Sequence, residues 1–172
     1  HEAQSLTRAL LKSSEIAESK IILDLGRTRT EIIIISGGEI VFTTTIELGG
    51  MTLESNIERE LKVDKAKAVE LKREVGLNKK FDGGKLFSAL TPAISVLSEE
   101  LKRSLEFYRT HSHHLHSSSL DIKELILAGG DSNLLGLDTY LTAILKLPVN
   151  KAGDLLTQRL WTNHSRIPSI PK

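Results

Sequence analysis

The sequence contains no cysteine. That removes disulfides, thiolate catalysis and thiolate zinc sites together, and it fits a reducing compartment. An excess of charge of one sign is also lacking. Over 172 residues, 23 basic and 22 acidic side chains nearly cancel, so no field argues for nucleic acid or an anionic membrane surface. No long hydrophobic run is present: Ile32-Ile33-Ile34-Ile35 falls far short of the roughly 20 apolar residues that cross a bilayer. A secretory leader pattern, an internal repeat and a Gly-X-Ser-X-Gly elbow for a hydrolytic serine are missing as well. So is an initiator methionine, and His1-Glu2-Ala3-Gln4 already reads as helix interior; further residues are expected upstream. The expectation is a cytoplasmic protein of one domain, or of a core domain with a small insertion.

What is present alternates between helical and strand patterns. Leu6, Leu10 and Leu11 give a helical stripe over about residues 2–17, which feeds a buried strand at Ile21-Ile22-Leu23. Glu31 to Ile35 predicts a second strand, and the Ser36-Gly37-Gly38-Glu39 turn reverses the chain. Ile40, Phe42, Thr44, Ile46 and Leu48 then fall on alternate positions, predicting a third antiparallel strand with one apolar face. After Gly49-Gly50, Leu53, Ile57 and Leu61 predict a helix with Thr52 as its cap. A second helix should start at Asp64 and end at Gly76. Thr91-Pro92 reads as the N-cap and first residue of a long helix through Ile94, Leu97, Leu101, Leu105 and Tyr108. A hydrophilic loop over 110–120 leads to a strand at Glu124 to Ala128, a helix through Leu134, Leu137, Leu141 and Leu145, and a short strand near Val149.

Two strand ends carry chemistry. In Asp24-Leu25-Gly26-Arg27-Thr28-Arg29-Thr30, a carboxylate is followed by a glycine where backbone can approach a phosphate. Asp24 could hold hydrated Mg²⁺, Thr28 and Thr30 could donate hydroxyls, and Arg27 and Arg29 could add charge-assisted hydrogen bonds. The same residues equally make an ordinary hairpin turn in which Asp24 accepts backbone hydrogen bonds. At Ala128-Gly129-Gly130-Asp131-Ser132-Asn133, paired glycines between strand and helix let a flat ligand lie against bare backbone, or serve only as a connection.

The order of these motifs resembles the second half of the actin, heat-shock ATPase and sugar-kinase superfamily. Within it, roughly residues 2–150 are similar to the PilM family of type IV pilus assembly proteins, with FtsA of cell division more distant. The similarity rests on Glu2-Ala3-Gln4-Ser5-Leu6-Thr7-Arg8-Ala9-Leu10, Asp24-Leu25-Gly26 with Thr30, and Glu47-Leu48-Gly49-Gly50. It continues through Ala68-Val69-Glu70-Leu71-Lys72, Phe107-Tyr108 and Ala128-Gly129-Gly130 with Ser132, Leu134, Gly136 and Leu137. It departs at Thr28, where many relatives have a second glycine, at Arg29, where PilM proteins often have threonine, and after residue 160.

The resemblance implies an α/β fold, an actin-like (ribonuclease H-like) lobe with a mixed sheet of three antiparallel strands plus parallel strands and flanking helices. Its core would comprise 1–50 and 86–160, with a small helical insertion at 51–85 and an irregular tail at 161–172. It implies ATP and Mg²⁺ as cofactors, Asp24 on the metal side, and Gly26, Arg27, Thr28, Thr30, Gly49 and Gly50 around the phosphates. Lys72, Gly129, Gly130 and Ser132 would lie on the nucleoside side. The family's first phosphate loop and partner-binding subdomain would lie upstream of His1, so the chain reads as half of a protein whose catalytic residues are unknown. Partners implied are inner-membrane pilus proteins, a PilN-like peptide among them, together with self-association, and a location peripheral to the inner membrane. Two other functions stay open: an active ATPase or phosphotransferase, and an FtsA-like interaction module with decayed nucleotide loops.

Two further clusters have plainer explanations. His111, His113, His114 and His116 could converge on a transition metal, but a solvated loop suits the neighbouring serines better. Arg59, Lys62, Lys65, Lys67, Lys72, Arg73, Lys79 and Lys80 are interleaved with Glu54, Glu58, Glu60, Glu70 and Glu74, as on a solvated helix face.

Overall fold

The computed structural model describes residues 18–111, 121–155 and 157. The expected amino-terminal helix, most of the 110–120 loop with His113, His114 and His116, and the tail lie outside them. Five strands, β1 (Ser19–Leu25), β2 (Thr30–Ser36), β3 (Glu39–Ile46), β4 (Ile122–Ala128) and β5 (Val149–Lys151), form one sheet in the order β3-β2-β1-β4-β5. β1, β2 and β3 run antiparallel in sequence, whereas β4 lies parallel to β1 and β5 parallel to β4. The mixed sheet is the one expected.

Near-continuous aliphatic runs suit strands covered on both faces, and alternation divides them between two cores. Ile21, Leu23, Leu25, Ile32, Ile34, Leu125 and Leu127 join the larger cluster, while Ile22, Ile33, Ile35, Ile126 and Ala128 form the smaller one opposite. Helices α1 (Gly50–Leu61), α2 (Lys65–Glu74), α3 (Lys85–His111) and α4 (Leu137–Leu145) all contribute to the larger cluster, through Leu53, Ile57, Leu71, Leu97 and Leu141 among others.

Three local expectations are corrected. β3 does not present one apolar face, because its register shifts between Ile34 and Ile35, where the partners pass from Phe42 to Ile40. The extra residue is Val41. Such a bulge turns the flanking side chains apart, so Phe42 packs on the larger core and Ile40 on the smaller.

Thr52 is not the cap of α1; Gly49 is, in extended conformation and with no side-chain hydrogen bond. Both glycines are needed for close approach, Gly49 as the cap and Gly50 as the first residue of the helix. Thr91-Pro92 does not begin the long helix either. α3 starts at Lys85, with Pro92 inside it and the Thr91 hydroxyl donating to the Phe87 carbonyl at 2.7 Å. Leu86 and Leu90 are fully buried; at about 2 kcal/mol each their burial outweighs the roughly 3 kcal/mol that an interior proline costs. α2, by contrast, is capped as expected, with Asp64 accepting from the Lys67 amide at 2.8 Å and Gly76 at φ +53° after its end.

Candidate functional site

β1 and β4 are parallel neighbours, and Asp24 stands in register with Ala128. Both glycine turns therefore leave the sheet side by side at the carboxyl ends of adjacent strands, where open α/β sheets hold ligands. The turns are tied together by the Asp131 amide, which donates to the Leu25 carbonyl at 3.1 Å. Gly129 sits at φ +88°, and a Cβ there would strike Asp24 Oδ1 and the Leu25 carbonyl. Only glycine fits.

The hairpin loop is closed by the Gly26 amide on the Arg29 carbonyl at 3.0 Å and is fastened to the start of α1. The Gly50 amide donates to the Gly26 carbonyl at 3.0 Å, and the Met51 amide to the Arg27 carbonyl at 2.8 Å. A Cβ on Gly49 would meet Arg27 backbone, and one on Gly50 the Asp131 carboxylate. Gly49 and Gly50 thus let loop, helix and turn pack together, and the first amides of α1 are spent on the loop. Thr30 is fully buried, and its hydroxyl donates to the Leu48 carbonyl at 2.6 Å. Ser132 is buried and donates to the Gly129 carbonyl at 2.7 Å. These four expected site residues brace the site from behind.

Two cavities open at the front. The first, about 220 Å³, is lined by Asp24, Gly26, Arg27, Thr28, Arg29, Glu31, Gly129 and Gly130. The second, about 250 Å³, lies between Glu54, Val69, Lys72, Arg73, Asp131, Asn133 and Leu134. Arg27 and Gly130 border both. The structure thus brings Asp24, Gly26, Arg27, Thr28, Lys72, Gly129 and Gly130 to one place.

Lys72 and Glu54 do not lie on a solvated helix face. Glu54 is 2 % exposed and Lys72 8 %. Lys72 Nζ donates to Glu54 Oε1 at 2.6 Å and to Asp131 Oδ1 at 2.5 Å, so its charge is shared between two carboxylates. Such burial is tolerable because the charges are paired and hydrogen-bonded. Neither Glu54 nor Asp131 was expected in the site. Glu54 could have been noticed, since it adjoins Leu53 and precedes Ile57 by three residues, at the edge of the apolar stripe. His111 stacks on Phe107, with ring centroids 4.2 Å apart, and neither residue lines these two cavities. No group of three or more metal-ligating side chains occurs among the described residues, and no described helix is long and apolar enough to cross a membrane.

A mixed sheet with three antiparallel strands followed by parallel ones, helices against it and paired glycine turns at its strand ends make this an actin-like ATPase lobe by fold. Solved structures agree. A PilM-PilN type IV pilus biogenesis complex matches with 25 % identity and TM-score 0.66, over 89 % of this chain and 40 % of that one. MreB 5 of Spiroplasma citri, bound to AMPPNP, matches with 20 % identity and TM-score 0.68, over 91 % and 54 %. The ethanolamine utilization protein EutJ from Carboxydothermus hydrogenoformans matches with 19 % identity and TM-score 0.58, over 87 % and 47 %. The chain thus spans about half, or less, of the length of these structures. The family model for type IV pilus assembly protein PilM matches residues 1–157, and the chain belongs to that family.

Proposed function

We propose that this chain is one lobe of a PilM-type assembly protein and binds ATP with Mg²⁺ in the two adjoining cavities. The observation that carries this reading is their shared border: Arg27 and Gly130 stand where a phosphate side and a nucleoside side would meet. Together the cavities are the size of a small-ligand site. Gly130 adds no side chain, and nothing lies within 4 Å of where its Cβ would be.

In the first cavity, Asp24 and Glu31 offset Arg27 and Arg29 in formal charge. A bound Mg²⁺ would supply the remaining positive charge that a polyphosphate needs. Asp24 would hold the ion through its water shell, Arg27, Arg29 and the Thr28 hydroxyl would face phosphate oxygens, and Gly129 and Gly130 would leave room for the nucleoside. Lys72, bound to Glu54 and Asp131, would shape the nucleoside wall. In this reading 1–50 and 86–160 form the core lobe, 51–85 an inserted helical pair and 161–172 a tail. A PilN-like peptide is the proposed partner and would hold the protein at the inner membrane.

The test is titration of ATP, with and without Mg²⁺, into the chain and into a polypeptide extended to the length of its PilM relatives. Binding should require Mg²⁺ and weaken at least tenfold in Asp24→Ala, the loss of one charge-assisted contact. Absence of binding at millimolar ATP, or indifference to Asp24→Ala, would reject ATP as the ligand.

A further inference from the structure

Arg27 and Glu54 stand in an unfinished contact. Glu54 Oε2 is buried and accepts no hydrogen bond, although Oε1 of the same carboxylate is held by Lys72. Arg27 forms an ion pair with Oε2: its Nη2 is 3.7 Å away, inside ion-pair range but beyond hydrogen-bond length. Lys72 balances only one of the two carboxylates that it bridges, so Glu54 and Asp131 leave one formal negative charge for Arg27 to offset. The Arg27 backbone cannot follow its side chain, because its carbonyl is fixed by the Met51 amide. The guanidinium can move: its side chain is 58 % exposed, and it borders both cavities.

We infer that Glu54 is a positioning residue that sets the anion affinity of the site by competing with a bound phosphate for Arg27. This rests on the reading of the first cavity as a phosphate site. With the cavity empty, Arg27 leans on Glu54. A phosphate beside Gly26 and Thr28 draws the guanidinium outward, and the Glu54 carboxylate keeps Lys72 as its partner. Replacing the carboxylate by an amide of the same shape frees Arg27, so the substitution strengthens anion binding, whereas a merely structural Glu54 would not act in that direction.

The test uses inorganic triphosphate, followed by NMR titration of the wild-type chain, Glu54→Gln, Arg27→Gln and the double variant. Glu54→Gln should bind triphosphate roughly three- to fivefold more tightly, the worth of one partly exposed ion pair. Arg27→Gln should bind more weakly, and the double variant should match it, with the gain from Glu54→Gln gone. In the wild type the Glu54 carboxyl carbon resonance should move on adding triphosphate and stay fixed in Arg27→Gln, a readout independent of whether Glu54→Gln folds. Equal or weaker binding by Glu54→Gln, a gain that survives without Arg27, a Glu54 resonance indifferent to the anion, or no binding by any of the four overturns the inference. If triphosphate behaves as expected while ATP fails to bind, ATP as the ligand falls and the role of Glu54 stands.

Discussion

At Gly129 the backbone stands at φ +88°, and a methyl group there would overlap Asp24 Oδ1 and the Leu25 carbonyl. One residue later, Gly130 has no positive φ, and nothing lies within 4 Å of the place a methyl would take, yet it borders both cavities. The two neighbours should therefore separate folding from binding. Gly129→Ala is expected to destabilise the chain by about 1–3 kcal/mol, through a left-handed backbone and a clash with fixed atoms. A urea melt reads it. Gly130→Ala should leave the urea midpoint nearly unchanged and weaken ATP binding, because its methyl would occupy ligand space. Equal stability losses in the two variants would show that the second glycine also serves the fold.

Among the elements, what the sequence made legible follows from periodicity, and what it hid follows from contacts far along the chain. Strands β1, β2 and β4 announce themselves as aliphatic runs ended by glycine turns, and Asp64 announces the start of α2. The bulge at Val41 was hidden, because Ile40 and Phe42 look equivalent until a partner strand shifts register beside them. The pairing of Lys72 with Asp131, 59 residues away, was likewise invisible, and composition alone made Lys72 and Glu54 look like surface charges.

Pro92 misled for the opposite reason: a strong local signal was overruled by the burial of Leu86 and Leu90 upstream. It lies exposed inside α3, where it removes one amide from the helical ladder. Pro92→Ala should therefore stabilise the chain by about 1–2 kcal/mol, the restored hydrogen bond and helix propensity less the freedom regained by the unfolded chain. Thermal unfolding should shift upward by several degrees. A fall instead would mean that the proline shapes α3 for its packing on the sheet.

For the molecule as a whole, the decisive ratio is the length shared with relatives: the chain covers 40 % of the PilM chain in its complex with PilN and 54 % of MreB 5. Among the described residues that line the first cavity, the side-chain donors Arg27, Arg29 and Thr28 all come from one hairpin loop, and the first amides of α1 are already bonded to that loop. A polyphosphate held by these groups alone keeps one flank in water, where each missing contact forfeits about 1.5–3 kcal/mol of charge-assisted hydrogen bonding. The 172-residue chain should accordingly bind ATP·Mg²⁺ no tighter than about 100 μM, and a polypeptide extended to PilM length should bind about a hundredfold or more tighter, the worth of two such contacts. Calorimetric titration of both gives the ratio. Comparable affinities would mean that this lobe recognises nucleotide unaided, with the Lys72–Glu54–Asp131 wall rather than an opposing lobe supplying the missing free energy.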